Sequence, residues 1–387
     1  MRVAFLTTDS REHFKNYANP IPYFGTAPEA LLEGFKELRD EIEVHVISCL
    51  QQPPKSSPSK LADNIYYHPL AVSKLGWLRT GYRGCISAVR RKLSEIQPNI
   101  VHGQGTERDC AISAVQSGFP NVITIHGNMG KVAALIHAKP LTYYWLAARF
   151  ERWCLRKTDG VVAISSYTAE AVAPYTKRVW LIPNAVNNDF FRVDRQPVTT
   201  ERLVCIANVS PWKNQTGLIA ALDPLRRELD FELRFIGAFS GQDHYSTRFR
   251  SMVAERKWCV CTGPLERDAL CRELSAATAL VLPSFEDNCP MVVLEAAAAG
   301  VPIAAANIGG IPDLVEDGRS GLLFDPRNAT SISDTVRVVL SDKHKATHMA
   351  QVAQSACLEK HGPASVAQRH FQVYDQVVRS ANLLGQR

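Results

Sequence analysis

The sequence predicts an α/β protein made of two Rossmann-like, doubly wound domains that face a central cleft. Three observations carry that expectation. Short apolar runs alternate with helical stretches, and the alternation starts twice, once at the first residues and again near residue 203. A length of 387 residues, 46% of them apolar and 21% charged, is enough to fill two ordinary cores. Residues 281–313, VLPSFEDNCPMVVLEAAAAGVPIAAANIGGIPD, then run as buried strand, acidic turn, short apolar helix and glycine turn. Helix starts of this kind lie beyond the carboxyl ends of parallel strands, where unpaired amides and the helix dipole favour phosphate oxygens.

Taken in order, residues 1–8 and EVHVISC (43–49) read as strands separated by a helical stretch at 27–39, and VVAIS (161–165) and VWLIP (179–183) repeat the strand pattern. LVCIANV (203–209), LRFIGAF (233–239) and WCVCTG (258–263) restart it. The seam is expected near 185–200, which gives domains 1–185 and 186–365 and leaves the helical pattern of 366–387 to follow. QQPPKSSPSK (51–60) is a Pro/Ser-rich surface loop. In the 281–313 run, Pro290 suits a first helical turn, where its missing N–H leaves nothing unsatisfied, and Gly300 suits the helix end.

MRVAFLTTDS enters a strand pattern with no basic leader, and no run approaches the ~18 apolar residues of a membrane helix, so a cytoplasmic location is expected. The ten cysteines are scattered and none is spaced like a zinc site, so they are expected as reduced core residues. Charge is uneven: residues 1–190 carry net +6 and residues 191–387 net zero. Part of the excess lies in residues 75–93, where Trp77, Arg79, Tyr82, Arg83, Arg90, Arg91 and Lys92 mix aromatic and basic side chains. That stretch suits either a solvated helix face or peripheral attachment to an anionic membrane surface, on the inner face if so. No nucleic-acid partner is expected, because the patch is small and no recognition motif accompanies it.

Several residues carry chemistry. Asp287 lies in the acidic turn and Glu295 two turns into the helix, roughly 10–12 Å apart at the helical rise. An acid and a base acting on one glycosidic bond stand roughly 5–10 Å apart, so this pair suits gripping two hydroxyl-bearing parts of one long ligand. Lys213 sits in a loop before a helix, and His126 follows the strand VITI; each is by itself as consistent with a surface or structural residue. Gly25 fits any positive-φ turn. GQGTER (103–108) has Arg108 where a dinucleotide fingerprint needs its third glycine, so it is discounted. Ser165 and Ser166 are helix caps with no nucleophile elbow around them. His102 is read as structural.

The 281–313 run resembles the signature of glycosyltransferase family 4, the retaining group 1 glycosyl transferases of GT-B fold: two acidic residues flank seven others before a small-residue helix. Asp287 takes the first acidic place, where the family usually has glutamate, with Glu286 beside it as the alternative; Glu295 takes the second. LIPNAVNNDFF (181–191) resembles the family's linker, with Ala185 and Asn187 departing from it. The resemblance implies that a hexose passes from a nucleotide diphosphate sugar to a hydroxyl of a carbohydrate or lipid-linked glycan acceptor; no D-x-D-like motif stands at a strand end, so no bound metal is expected. It implies His126, Asp287, Glu295 and Lys213 as the catalytic set. The implied donor-binding set is Gly25, Asn208, Lys213, Gly237, Thr262, Glu286, Asn288, Cys289, Pro290, Met291, Val292 and Glu295. Asn208 stands where the family has a diphosphate-binding arginine, and Lys257 or Arg267 are the candidates to replace it. A nucleotide-sugar epimerase or phosphorylase on the same fold, or a binding protein with weakened catalysis, are the alternative readings.

Overall fold

The computed structural model describes residues 1–197, 200–239 and 243–385. Val198 and Thr199 of the expected seam, and the last two positions of 366–387, lie outside the described residues. The chain divides into two compact units, Met1–Ala185 with the chain from Pro363 onward, and Val186–Gly362.

The first unit lays down β1 (Arg2–Leu6), α1 (Thr26–Glu37), β2 (Glu43–Leu50), β3 (Lys60–Ala62), β4 (Ile65–Ala71), α2 (Arg83–Ile96), β5 (Ile100–Gln104) and α3 (Cys110–Val115). It continues with β6 (Asn121–Ile125), α4 (Met129–Leu135), α5 (Tyr143–Lys157), β7 (Val161–Ala163) and β8 (Val179–Leu181). The sheet order is β3-β4-β2-β1-β5-β6-β7-β8, parallel throughout except for the β3–β4 edge pair. Because side chains alternate across a strand, neighbours part company: Val101, Ile123 and Val161 join one core, while Ile100, Val122 and Val162 join the other. A sheet buried on both faces explains why these strands read as continuous apolar runs.

In the second unit come β9 (Arg202–Ile206), α6 (Gln215–Leu222), β10 (Glu232–Ile236), β11 (Cys259–Gly263), α7 (Arg267–Ser275), β12 (Ala279–Leu282), α8 (Met291–Ala298), β13 (Ile303–Ala306), β14 (Leu322–Phe324) and α9 (Lys343–His361). All pairs are parallel and the order is β11-β10-β9-β12-β13-β14. The unit's first strand is therefore internal, and the winding reverses between β9 and β12, the place where open parallel sheets hold ligands. Helix α8 buries every residue from Val293 to Ala298, as a helix apolar on all sides must. Its last turn is closed by Gln354 of α9, whose amide donates to the Ala298 carbonyl at 2.8 Å. The chain then returns to the first unit as α10 (Pro363–Gly385), which packs against α1.

One expectation is corrected here. Residues 75–93 do not present their aromatics to solvent. The helix begins only at Arg83; Trp77 and Tyr82, 7% and 4% exposed, belong to the core of the first unit. The Trp77 indole donates to the Val72 carbonyl at 3.1 Å, and Tyr82 meets Phe150 edge-on. Burying two large rings outweighs leaving them at a surface, and each finds a partner inside.

Candidate functional site

At the reversal point of the second unit, two loops are stitched together. The loop after β9 turns through Pro211–Lys213 into α6, and the acidic loop after β12 leads into α8. The Phe285 amide donates to the Trp212 carbonyl at 2.7 Å, and the Lys213 ammonium donates to Asp287 at 2.5 Å. Their side chains are 25% and 11% exposed, so the pair lies in a recess that water still reaches. The Asp287 carbonyl in turn receives the Gly310 amide at 3.1 Å. Gly309, at φ +56°, lies so close that a Cβ there would stand 1.9 Å from that carbonyl oxygen. The Gly309-Gly310 turn is thus a requirement of close approach to the acidic loop.

These loops bound a cavity of about 440 Å³ at the carboxyl ends of β9, β10 and β11, lined by Asn208, Lys213, Gly237, Asp287 and the start of α8 at Pro290–Val292. Gly237 follows β10 with φ +152°, and a Cβ would come within 2.2 Å of the Ala207 carbonyl oxygen. Any side chain there would push the two strand ends apart. Pro290 is the residue before the first turn of α8. Asn208, where a diphosphate-binding arginine was sought, uses its side-chain oxygen to accept the Ala238 amide at 3.1 Å and so fixes the loop. Of the proposed substitutes, Lys257 lies at the amino end of β11, the wrong edge of the sheet, and is corrected out of the site. Arg267 begins α7 at the right edge, 3.4 Å from Asp189.

Glu295 is the most perturbed acid of this unit. It is 3% exposed, amid the apolar faces of α8. Burial pushes its carboxyl up to about 7, which the positive charge of Arg267 offsets only in part. Thr262 donates to main-chain oxygens, including Gly263 at 3.0 Å, so its side chain shapes the β11 turn. Glu286 and Asn288 are partly buried in the acidic loop, and Cys289 is 8% exposed beneath it.

In the first unit, Gly25 stands at the N-cap of α1, and His126 follows β6 at the carboxyl edge of that sheet. Burial pushes the His126 imidazole down to about 4, so it is neutral at physiological pH. Its Nε2–H donates to the Gln104 side-chain oxygen at 2.7 Å. Gln104 in turn contacts His102, which is wholly buried and hydrogen-bonded to Tyr374 and Thr124. His102 is therefore structural.

Two carboxylates that sequence reasoning missed hold the His126 loop from below. Glu107 accepts the Gly127 amide at 2.8 Å, and Glu151 accepts the Met129 and Gly130 amides at 2.9 Å each and the Thr106 hydroxyl at 2.6 Å. Burial raises both acids against the lowering effect of those donors. Glu151 is the only acid in α5, and that isolation among apolar and basic residues is the one signal the sequence offered. Glu151→Ala strands three buried donors, so unfolding should become easier by about 3 kcal/mol or more, with Glu151→Gln intermediate. Denaturant titration of both variants checks this.

The structure also gathers what spacing hid. Cys49, Cys85 and Asp109 bring their ligand atoms within 4.8 Å of one another in the core of the first unit. All ten cysteines are free, eight of them buried. A cavity of about 720 Å³ lies away from both strand-end sites, among α2, α3 and α5.

A family model described as "Glycosyl transferases group 1" matches residues 187–356, and one described as "Glycosyltransferase Family 4" matches residues 31–190. The GDP-mannose-dependent alpha-(1-6)-phosphatidylinositol monomannoside mannosyltransferase of Mycobacterium tuberculosis is 30% identical over 216 residues, 50% of this chain and 55% of that protein. Glycogen synthase of the same organism is 29% identical over 234 residues, 58% and 56%. The chain thus spans about half the length of these curated relatives. Among solved structures, sucrose-phosphate synthase from Thermosynechococcus elongatus superposes with a TM-score of 0.79 over 98% of this chain and 100% of its own, at 16% identity. Anabaena Alr3699/HepE in complex with UDP and glucose gives 0.72 over 97% and 100%, at 17% identity. At such identities these two likenesses speak for the fold alone.

Proposed function

The chain belongs to the group 1 glycosyltransferases, and we propose on that premise that it moves a hexose from a nucleotide diphosphate sugar to an acceptor hydroxyl, in the making of a polysaccharide or glycoconjugate. Its fold class is the GT-B one that the sequence resemblance implied. The observation that carries the proposal is the second unit's cavity, where Lys213, Asp287 and the start of α8 meet at the sheet's reversal point. In this reading Lys213 and the opening amides of α8 take the diphosphate, stabilising charge as it builds on the leaving group. Glu295 takes the ribose hydroxyls, donors suited to a desolvated carboxylate. Asp287 takes hydroxyls of the hexose, and His126 contributes as a neutral imidazole whose position is fixed by Gln104. Retention of configuration, with the acceptor attacking on the face the diphosphate leaves, and independence of a bound metal complete the proposal.

One structural neighbour was solved in complex with UDP and glucose, and one relative is a GDP-mannose-dependent mannosyltransferase, so both bases belong in the test. A thermal-shift screen of UDP-, GDP- and ADP-sugars, in the presence of EDTA, should single out one donor. At a hundred times its dissociation constant that donor adds about 2.7 kcal/mol to stability. Equal shifts for all donors, or a shift that EDTA abolishes, would count against the reading. Incubation of that donor without acceptor should give no epimer, which separates transfer from epimerisation.

A further inference from the structure

Cys49, Cys85 and Asp109 meet at the carboxyl edge of the first sheet, each brought there by a different element. Cys49 is the last residue but one of β2, Cys85 lies in the first turn of α2, and Asp109 directly precedes α3. One ligand atom from each lies within 4.8 Å of the other two, and the residues are 5%, 0% and 6% exposed. Asp109 stands where an aspartate ordinarily caps a helix, yet it does not cap α3. Its backbone is helical, φ −81° and ψ −15°, instead of extended, and its side chain accepts no amide of that helix. Asp342, at the same place before α9, accepts the Lys345 amide at 2.9 Å. Nor does the Asp109 carboxyl form an ion pair among the described residues: Arg108 beside it is 3.7 Å from Glu12 and lies over the Trp77 ring. Hydrogen bonding with Cys85 and burial push the Cys49 thiol well up, and burial raises the Asp109 carboxyl, so both favour their uncharged forms.

We propose that these three side chains hold a zinc ion, which pins the end of β2 to the starts of α2 and α3. Thiolate sulfur selects zinc over calcium or magnesium, and a carboxylate oxygen is a regular partner to it. The thiols give up their protons to solvent as the sulfurs take the ion. Two thiolates and a carboxylate exceed the charge of the ion by one. The Arg108 charge, which already acts on Asp109, and the amides that open α2 at Cys85 offset that excess. Three protein ligands leave a fourth position to water. The site lies in the first unit, away from the donor cavity of the second, so the ion braces the fold and takes no part in the transfer proposed above. Because the three residues are far apart in the chain, no zinc-like spacing announces them.

The test is a cobalt titration of the full chain, purified under reductant without a metal-affinity tag and freed of metal by dialysis against a chelator. Cobalt stands in for zinc and should give a near-ultraviolet sulfur-to-cobalt charge-transfer band that saturates at about one ion per chain. Zinc should then displace the cobalt and raise the melting temperature. The double variant Cys49→Ser with Cys85→Ser should lose the band altogether. Asp109→Asn keeps both sulfurs, and should keep the band while needing more cobalt to reach it. Cys154→Ser, as buried in the same core but outside the cluster, should titrate like the parent. Donor-induced thermal shifts should survive in every variant and in the metal-free parent, which shows that the proteins fold and keeps this outcome separate from that of the proposed transfer. No band in the parent, or a band that survives in the double variant, overturns the proposal. So does a Cys49–Cys85 disulfide that forms in air while the reduced protein takes up no cobalt, which would assign a redox pair.

Discussion

Replacing Glu295 with glutamine is expected to stabilise the protein at about pH 8 and, in the same preparation, to lower kcat/KM by about two orders of magnitude. The stability half follows from burial. Glu295 is 3% exposed, and desolvation lifts its carboxyl from 4.5 to about 7. Between those values the folded chain holds a proton that the unfolded chain has released. Stability therefore falls as pH rises through that window and levels off above it. At about pH 8 the full shift is worth about 3 kcal/mol against the folded state, a burden the neutral amide does not carry. For a unit of this size that corresponds to roughly 6–10 °C in melting temperature. Below about pH 4.5 both proteins carry a neutral group and should unfold alike. The activity half follows from the ribose role: an ionised carboxylate accepting two hydroxyl donors contributes about 1.5–3 kcal/mol for each. Melting curves from acid to mildly alkaline pH, set beside donor-dependent turnover, decide both halves. Unchanged melting would show that the carboxyl is not strained; a stabilised variant with full turnover would remove Glu295 from the donor site.

Around that carboxyl, the elements were legible in the sequence while the glutamate's own burial was not. A glutamate in VVLEAAAA suits a solvent-facing position as well as a costly buried one, and the structure buries it; the strands around it announce a parallel sheet because both their faces must be apolar. The expected strands at 43–49 and 258–263 appear as Glu43–Leu50 and Cys259–Gly263, and the helix expected at 27–39 as Thr26–Glu37. The β3–β4 edge pair was not foreseen, since KLA and IYYHPLA are too polar and too short of alternation to stand out. Contacts between distant residues were beyond reach for a different reason. Nothing local ties Lys213 to Asp287, 74 residues on, or Glu151 to the amides of Met129 and Gly130; only the winding of the sheets brings them together. In 75–93 the helix does carry Arg83, Arg90 and Arg91 on an exposed face, as one of the two readings had it, but Trp77 and Tyr82 turn inward, which basic and aromatic residues in one stretch do not disclose.

The Lys213–Asp287 pair is where the second large effect is expected: Lys213→Met should cut kcat/KM by about 10²–10³-fold while moving stability by less than about 1 kcal/mol. The asymmetry has a physical cause. As a structural element the pair is partly open to water, 25% and 11% exposed, so its Coulomb gain is screened and offset by the ordering of a long side chain. As a diphosphate ligand the same ammonium would meet charge that grows during bond breaking, and Asn208, committed to the Ala238 amide, offers no second cation to compensate. Asp287→Asn should be milder, because the lysine keeps its charge and loses only the partner that positions it. If the two act through one another, the double variant loses less than the product of the single losses. Steady-state kinetics on the four proteins of the cycle measure this. A lysine variant within about threefold of the parent would take Lys213 out of the transition state. Fully multiplicative losses would mean that the ion pair plays no part in how the lysine meets the donor.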